Sequence, residues 1–460
     1  MIGRIPPSLA KPNGLPFPTR PKKRQKHGMA GILHIIGGGM AGLAAAVDVA
    51  GSGTRVILHE AGRSCGGRAR SYHDRHLDCR IDNGNHLLLS ANSTVFRYLG
   101  ITGALDTLSG PGEPIFPFVD LAEDARWTLD LSRGRLPLWV FQPHRRVPDM
   151  RLPELQSLYR LIKAEGQTTV ADCLLPGAFT RRLLEPFSIS ALNTLSDVGS
   201  AALLGAVVRE SLSLGGHACV PWFARDGLSE SLVDPAVAYL ETMNAEVRTQ
   251  SRITGLDVAK GRVTTLHTAQ DSIALSEHDK VIVATTAPVA EALLSPHMAG
   301  LMTPNAFESI LNLHFRLADT PRPLGSFAQC GFMGVIGGVT EWVFLRGNIL
   351  SVTVSAANRY AKDDHEELAR TIWQELRRAC DAVLEQPLPE TPDAQRIVWE
   401  KRATFAATPE QNRRRPGSAT PLVNLALAGD WTNTGLPATL EGAMRSGLHA
   451  VQALGLKIPS

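Results

Sequence analysis

Residues 31–36, Gly-Ile-Leu-His-Ile-Ile, run directly into Gly37-x-Gly39-x-x-Gly42. An apolar stretch from Leu43 to Val49 follows, Gly53 ends it, and Arg55-Val-Ile-Leu-His-Glu60 forms a second apolar run closing on an acid. Strand, glycine turn, helix, strand and acid in this order predict the first βαβ unit of a dinucleotide-binding fold. Each residue type has a physical reason. Gly37 permits a tight turn, Gly39 lets the backbone approach a pyrophosphate, and Gly42 lets helix and strand pack closely. The N-terminus of the helix, with Met40 and Ala41, presents free N–H groups and a partial positive charge to phosphate. Glu60 lies 18 positions after Gly42, near the ~20 expected of an acid that accepts hydrogen bonds from a ribose diol.

The 460 residues allow two or three domains. With 44% apolar and 20% charged residues the chain is globular. The 47 Lys plus Arg and 44 Asp plus Glu give a net +3. Seven of the basic residues fall in 1–28, which holds no acid, so the remainder carries −4. A mildly acidic body argues against a nucleic-acid-binding surface. Residues 1–28 also contain Pro6, Pro7, Pro12, Pro16, Pro18 and Pro21, and are expected to be a disordered extension. Met29, directly before the fold signal, is an alternative translation start. The run from Gly28 to Ala50 is too rich in glycine, and too interrupted by His34 and Asp48, to read as a signal peptide or a span. Cys65, Cys79, Cys173, Cys219, Cys330 and Cys380 include no C-x-x-C pair, which suggests reduced thiols in a cytoplasmic protein and no metal site.

Beyond the second strand comes Arg63-Ser-Cys-Gly66-Gly67-Arg68, a loop that allows close approach to a phosphate and supplies a cation. Asp82-Asn83-Gly84-Asn85-His86 follows. Near the C-terminus, Leu425-Ala-Leu-Ala-Gly429-Asp430-Trp431 reads as a buried strand ending in an acid, and Thr439 to Leu454 as an amphipathic helix. Together these segments resemble the flavin amine oxidase and carotenoid desaturase superfamily. The resemblance implies an α/β fold: a discontinuous Rossmann-type FAD-binding domain with a mixed α+β substrate domain. FAD is the implied cofactor. The implied contacts are Gly37, Gly39, Met40, Ala41, Gly42, Glu60, Gly67, Arg68, Asn83, Gly84, Gly429, Asp430, Thr439 and Leu440, with Ile253 touching the adenine through its backbone. Asp430 would hydrogen-bond the ribityl chain, and the helix after it would point its N-terminus at the pyrimidine edge, where its dipole stabilises negative charge. Glu441, in the first turn of that helix, is expected to serve the N-terminus of that same helix.

A finer resemblance is to the hydroxysqualene dehydroxylase family, squalene-associated FAD enzymes of bacterial hopanoid biosynthesis. It rests on Asp82–Leu89, on Ile189-Ser-Ala-Leu-Asn-Thr194, and on Leu427–Ala443 with its Trp431 and Gly435-Leu-Pro-Ala438. Asn85 in place of a common Gln, Ser188 and Ser190 in a usually more apolar segment, and Cys65 before the Gly-Gly-Arg depart from the pattern. The resemblance implies reductive removal of a hydroxyl from a C30 isoprenoid alcohol, with His86 the first candidate for the proton donor and an electron donor not named by the sequence. A carotenoid or isoprenoid desaturase, or an amine oxidase, is the alternative. Segments 29–105, 215–290 and 416–460 are assigned to the FAD-binding domain, and 106–214 and 291–415 to the substrate domain. Helices are expected over Glu154–Glu165, Ser200–Leu214, Glu230–Leu240 and His365–Leu384. Phe187, Phe332, Trp342, Trp222 and Phe223 are candidates to line a hydrocarbon tunnel. A lipid-resident substrate favours transient contact at the inner face of the membrane, to which the basic extension would add attraction.

Overall fold

Ile32–Ile36 and Arg55–His59 are strands buried along almost their whole length, the pattern of a parallel sheet covered on both faces. The computed structural model describes residues 31–459; the expectations for residues 1–28 and Met29 lie outside them. The parallel sheet has five strands in the spatial order Glu246–Arg248, Arg55–His59, Ile32–Ile36, Lys280–Val283 and Leu425–Leu427. Its neighbours are therefore drawn from distant parts of the chain.

Alternation along these strands sorts their side chains onto two cores. Leu33, Ile35, Ile282 and Ala426 face the helices Met40–Val49 and Leu440–Ala453. Ile36, Val281, Val283, Leu425 and Leu427 face the other way, onto the helix Ala287–Leu294 and the antiparallel meander Ile253–Ala259, Arg262–Thr268 and Ser272–Ala274. The first and last helices cross closely. A Cβ at Gly447 would overlap the carbonyl oxygen of Ala41, so only glycine allows this approach.

A second sheet has seven strands, ordered Ala394–Phe405, Phe307–Arg316, Ile349–Val354, Trp342–Arg346, Phe332–Ile336, Ile115–Asp120 and Ala125–Asp130. The pair of Phe332–Ile336 with Ile115–Asp120 is parallel and the others are antiparallel. Here too one face is a core: Leu311, Leu313, Phe315, Val343, Val352 and Val354 pack on the helix His365–Cys380. That helix starts on Asp364, whose carboxylate accepts the N–H groups of Glu366 and Glu367. The alternate residues, among them Asn312, Thr353, Trp342 and Phe344, face a large cavity.

The expected helices form with local differences, two of them at a proline. Pro153 starts a 3-10 turn, Leu152–Leu155, ahead of the α-helix Gln156–Lys163. The segment expected as one helix over Glu230–Leu240 opens as a π-turn, Ser229–Val233, and becomes α-helical at Asp234, next to Pro235, which has no N–H to give. Ser200 caps Ala201–Glu210 and the chain then tightens into a 3-10 turn, Leu212–Leu214. None of the six cysteines is in a disulfide.

Replacing Gly447 with valine should lower the unfolding free energy by about 1–3 kcal/mol, the usual cost of overpacking. Alanine should cost less. Urea unfolding of the three proteins measures both.

Candidate functional site

The glycine turn is held by backbone and by one carboxylate. Gly37 has φ +112°, and a Cβ there would come within 2.6 Å of the Ala284 carbonyl oxygen. A Cβ at Gly42 would overlap the carbonyl of Gly37. Gly39 behaves differently: a Cβ there would meet no protein atom within 4 Å. Gly39 is also the N-cap of Met40–Val49 and offers no side-chain cap, so the first N–H groups of the helix are left for another partner. The loop of Gly66 and Gly67 folds onto this turn, with Gly66 N–H donating to the Gly38 carbonyl at 2.8 Å. Glu60 accepts from Gly38 N–H at 2.7 Å and from Gly62 N–H at 2.6 Å, one bond to each carboxylate oxygen. It therefore braces the turn and still has lone pairs toward the cavity.

Below Glu60 runs a buried polar chain. His34 Nδ1 lies 3.2 Å from His59 Nε2, and His59 Nδ1 lies 3.0 Å from the Ser251 hydroxyl. Burial pulls both imidazoles down to about 4, so the pair is neutral at pH 7.

The C-terminal segment supplies a second cluster. Asp430 pairs with Arg68 at 2.8 Å, and Arg68 also donates to the Ala403 carbonyl. The Arg68 charge is thus already matched by a carboxylate. Arg415, which the sequence reading did not single out, donates to the backbone carbonyls of Asp430 and Thr432 and lies over the Phe405 ring. Burial pulls its pKa down to about 10, with Asp430 opposing, and it stays charged at pH 7. Gly429 N–H donates to Ser446 Oγ at 2.7 Å, which ties the strand end to the last helix. Thr439 caps that helix by accepting from Gly442 N–H at 3.0 Å. Glu441 serves a neighbour: it accepts from Thr94 N–H, Thr94 Oγ1 and Val95 N–H, and so caps the helix Ser93–Thr102.

The Asp82–His86 segment joins both sheets. Asp82 is buried, accepts from the Ser71 hydroxyl at 2.6 Å, and pairs with Arg346 at 2.9 Å. Asn85 donates to Thr353 Oγ1 at 3.0 Å, Thr353 donates to Asn312 Oδ1 at 2.9 Å, and Asn312 donates to the Asn83 carbonyl at 3.4 Å. Desolvation lowers the pKa of His86, while Asp82 and a hydrogen bond to the Arg68 backbone oppose it.

These pieces surround one cavity of about 760 Å³. Gly37, Gly39, Met40, Ala41, Glu60, Gly67, Arg68, Asn83, Gly84, His86, Ile253, Gly429, Asp430, Thr439 and Leu440 all line it. Gly42 packs behind the turn instead. The other end is apolar, lined by Phe116, Phe118, Leu129, Leu131, Phe187, Trp342 and Phe344. Of the five aromatic candidates, Phe187 and Trp342 are there. Phe332, Trp222 and Phe223 are not among the lining residues: all three are buried in cores, Phe332 with a ring against Phe223 and Trp342, and Trp222 with its indole N–H on Ser90. Phe116 and Phe118 were missed; they stand two apart on one strand, as do Trp342 and Phe344 on another, and share the cavity face by alternation. The polar residues Ser188 and Ser190 have partners: Ser188 bonds Ser196, and Ser190 accepts the Trp342 indole N–H at 2.6 Å.

The family described as "Flavin containing amine oxidoreductase" matches residues 40–455. The hydroxysqualene dehydroxylase of Zymomonas mobilis is 42% identical over 421 residues, covering 91% of this chain and 98% of that protein. That of Sinorhizobium fredii is 44% identical over 419 residues, covering 91% and 97%. Among solved structures, cyclohexylamine oxidase from Brevibacterium oxydans superposes with a TM-score of 0.66 at 14% identity, covering 93% of this chain and 99% of that one. This last likeness is one of fold.

His34 and His59 protonate near pH 4 when folded and near 6.5 when unfolded. Between those values the unfolded chain binds more protons, so stability should fall as pH drops from about 6.5 to about 4. His314, also pulled down to about 4 by burial, adds to the same slope. Urea unfolding across this window should show it, and His59→Gln should reduce the slope by up to about 1.4 kcal/mol per pH unit.

Proposed function

The chain belongs to the hydroxysqualene dehydroxylase family within the flavin containing amine oxidoreductases, and from that membership we propose that it reductively removes the hydroxyl of hydroxysqualene to give squalene, with FAD as its flavin. The observation that carries this reading is a single cavity of about 760 Å³ with a glycine-turn end and an apolar end. An uncapped helix start at Gly39, open space where its Cβ would stand, and a carboxylate at Glu60 suit a dinucleotide rather than a mononucleotide. In this reading segments 29–105, 215–290 and 416–460 hold the cofactor, and 106–214 and 291–415 hold the hydrocarbon.

Met40 and Ala41 N–H groups then take the pyrophosphate, Glu60 the ribose hydroxyls, and the Ile253 backbone the adenine. Gly67 keeps the loop above the phosphates close to Gly39, and Arg68 orients the Asp430 carboxylate, which takes the ribityl hydroxyls. The helix start at Thr439 and Leu440 favours negative charge at the pyrimidine edge. Asn83 and Gly84 hold the floor of the cavity against Asn312.

A bound reduced flavin supplies the hydride. The protein must do the rest: bind a hydrocarbon, exclude water and help a hydroxide leave. Apolar walls provide the first two, because burying a C30 chain contributes about 25 cal/mol per Å² of apolar surface. The hydroxide departs as water once it gains a proton, and His86 is the proposed donor. Its lowered pKa makes the imidazolium a scarcer but stronger acid. The Asn85–Thr353–Asn312 relay offers further hydrogen bonds to the hydroxyl.

Enzyme reduced anaerobically with dithionite should convert hydroxysqualene to squalene, scored by mass spectrometry. Absence of squalene from flavin-loaded, reduced enzyme would overturn the reading. With His86 as the donor, kcat should fall as pH rises through a value below 6.5. His86→Gln should lower kcat by about 100-fold and flatten that limb.

A further inference from the structure

Between Asp130 and Asp149 the chain carries no acid for eighteen residues, 131–148, but holds Arg133, Arg135, His144, Arg145 and Arg146. The same stretch contains, among the described residues, the most exposed cluster of large apolar residues in one short segment: Leu136 at 68%, Leu138 at 57% and Phe141 at 66% exposure. These side chains are not on a loose loop. Trp139, Val140, Val147 and Met150 are buried in one core with Phe118, Leu129 and Leu131. The backbone is closed by hydrogen bonds from Gln142 N–H to the Trp139 carbonyl and from Asp130 N–H to the Arg145 carbonyl. Leu138–Phe141 is a 3-10 turn, in which residues three apart eclipse, so Leu138 and Phe141 stand on one face while Trp139 and Val140 anchor the other.

A rigid frame thus holds apolar side chains out in water, where they cost free energy unless something covers them. Two of the arginines are matched, Arg133 by Glu113 and Arg145 by Asp130. Arg146 donates to the Val140 carbonyl, and neither it nor Arg135 has a carboxylate within ion-pair distance among the described residues. The segment is joined to a second exposed leucine: Gly216 N–H donates to the Gly134 carbonyl, and Leu214, 50% exposed, lies two residues before Gly216. Both segments run directly from the cavity wall, which includes Leu131 on one and Leu212 on the other.

We propose that Leu136, Leu138, Phe141 and Leu214, ringed by Arg135, His144 and Arg146, form the surface by which this protein docks on an anionic lipid bilayer. Apolar side chains flanked by the cations Arg135 and Arg146 match the acyl boundary and the phosphates of such a surface, and match no neutral or cationic partner as well. The placement beside the apolar end of the cavity gives a hydrocarbon a path that avoids water. Vesicle binding needs no turnover, so the proposal stands or falls separately from the dehydroxylase reading.

The full flavin-loaded chain is sedimented with vesicles of phosphatidylglycerol and phosphatidylethanolamine, and with vesicles of phosphatidylcholine alone. Binding to the anionic vesicles is expected, with at least about tenfold weaker partitioning for Leu138→Asp with Phe141→Asp. Arg135→Glu with His144→Glu should remove the preference for anionic over neutral vesicles. All four positions are exposed, so melting temperature and flavin content should not change, and these controls are read on the same samples. Unchanged vesicle binding by the apolar double variant would overturn the proposal. So would a wild-type dimer that the variant converts to monomer without loss of vesicle binding, since a second copy would then be what covers the patch.

Discussion

The site depends on one crowded point, where the helix after the glycine turn meets the last helix of the chain. Gly42 sits on the Gly37 carbonyl and Gly447 on the Ala41 carbonyl, each where a Cβ would overlap an oxygen. This contact puts the uncapped start of the first helix and the Thr439 start of the last on one cavity. Residues about 400 positions apart in sequence thereby line one cavity. The hydrogen bond from Gly429 to Ser446 and the capping of Ser93–Thr102 by Glu441 fix the last helix against the rest. Moving that helix would shift Asp430, Arg68 and the cap of a third helix together.

The seven-stranded sheet solves a different problem with strand alternation. One face has a conventional core against His365–Cys380, and the other is left to line a cavity. Because alternate residues point to opposite faces, that second face is free to mix Phe116, Phe118 and Phe344 with Asn312 and Thr353 without loosening the core. Its polar members lie toward Asp82–His86 and satisfy one another. Hydrogen-bonding groups are thereby concentrated next to a long apolar chamber, as a substrate with one hydroxyl on a hydrocarbon requires.

Much of the glycine-turn end of the cavity was legible because its constraints are local. A positive φ at Gly37, an absent Cβ at Gly39 and an acid at a strand end each leave a residue-specific mark at a fixed spacing. What was not legible depends on which residues meet across the fold. Arg415 is an ordinary basic residue in sequence and becomes a buried brace for the Asp430 turn only once Phe405 and Thr432 surround it. Arg68 could be read as a cation but not as the partner of Asp430, 362 positions away. Phe332, Trp222 and Phe223 were plausible tunnel residues by composition. Their burial in core clusters depends on which face of a strand is turned inward, and an aromatic side chain alone does not tell that.

Average charge conceals two arrangements that matter. Two arginine–carboxylate pairs stand at the site, Arg68 with Asp430 and Arg346 with Asp82, and the buried His34, His59 and His314 are neutral at pH 7. Negative charge developing on a group at the Thr439 end of the cavity would meet the start of the last helix. The surface near residues 131–148 differs: Arg135 and Arg146, without a carboxylate partner among the described residues, stand near exposed leucine and phenylalanine. A body that is mildly acidic overall can therefore be repelled by an anionic surface on most of its faces and attracted on one. Orientation then follows from electrostatics before any apolar contact forms, because unpaired charges act over about a Debye length and side-chain burial acts only at contact.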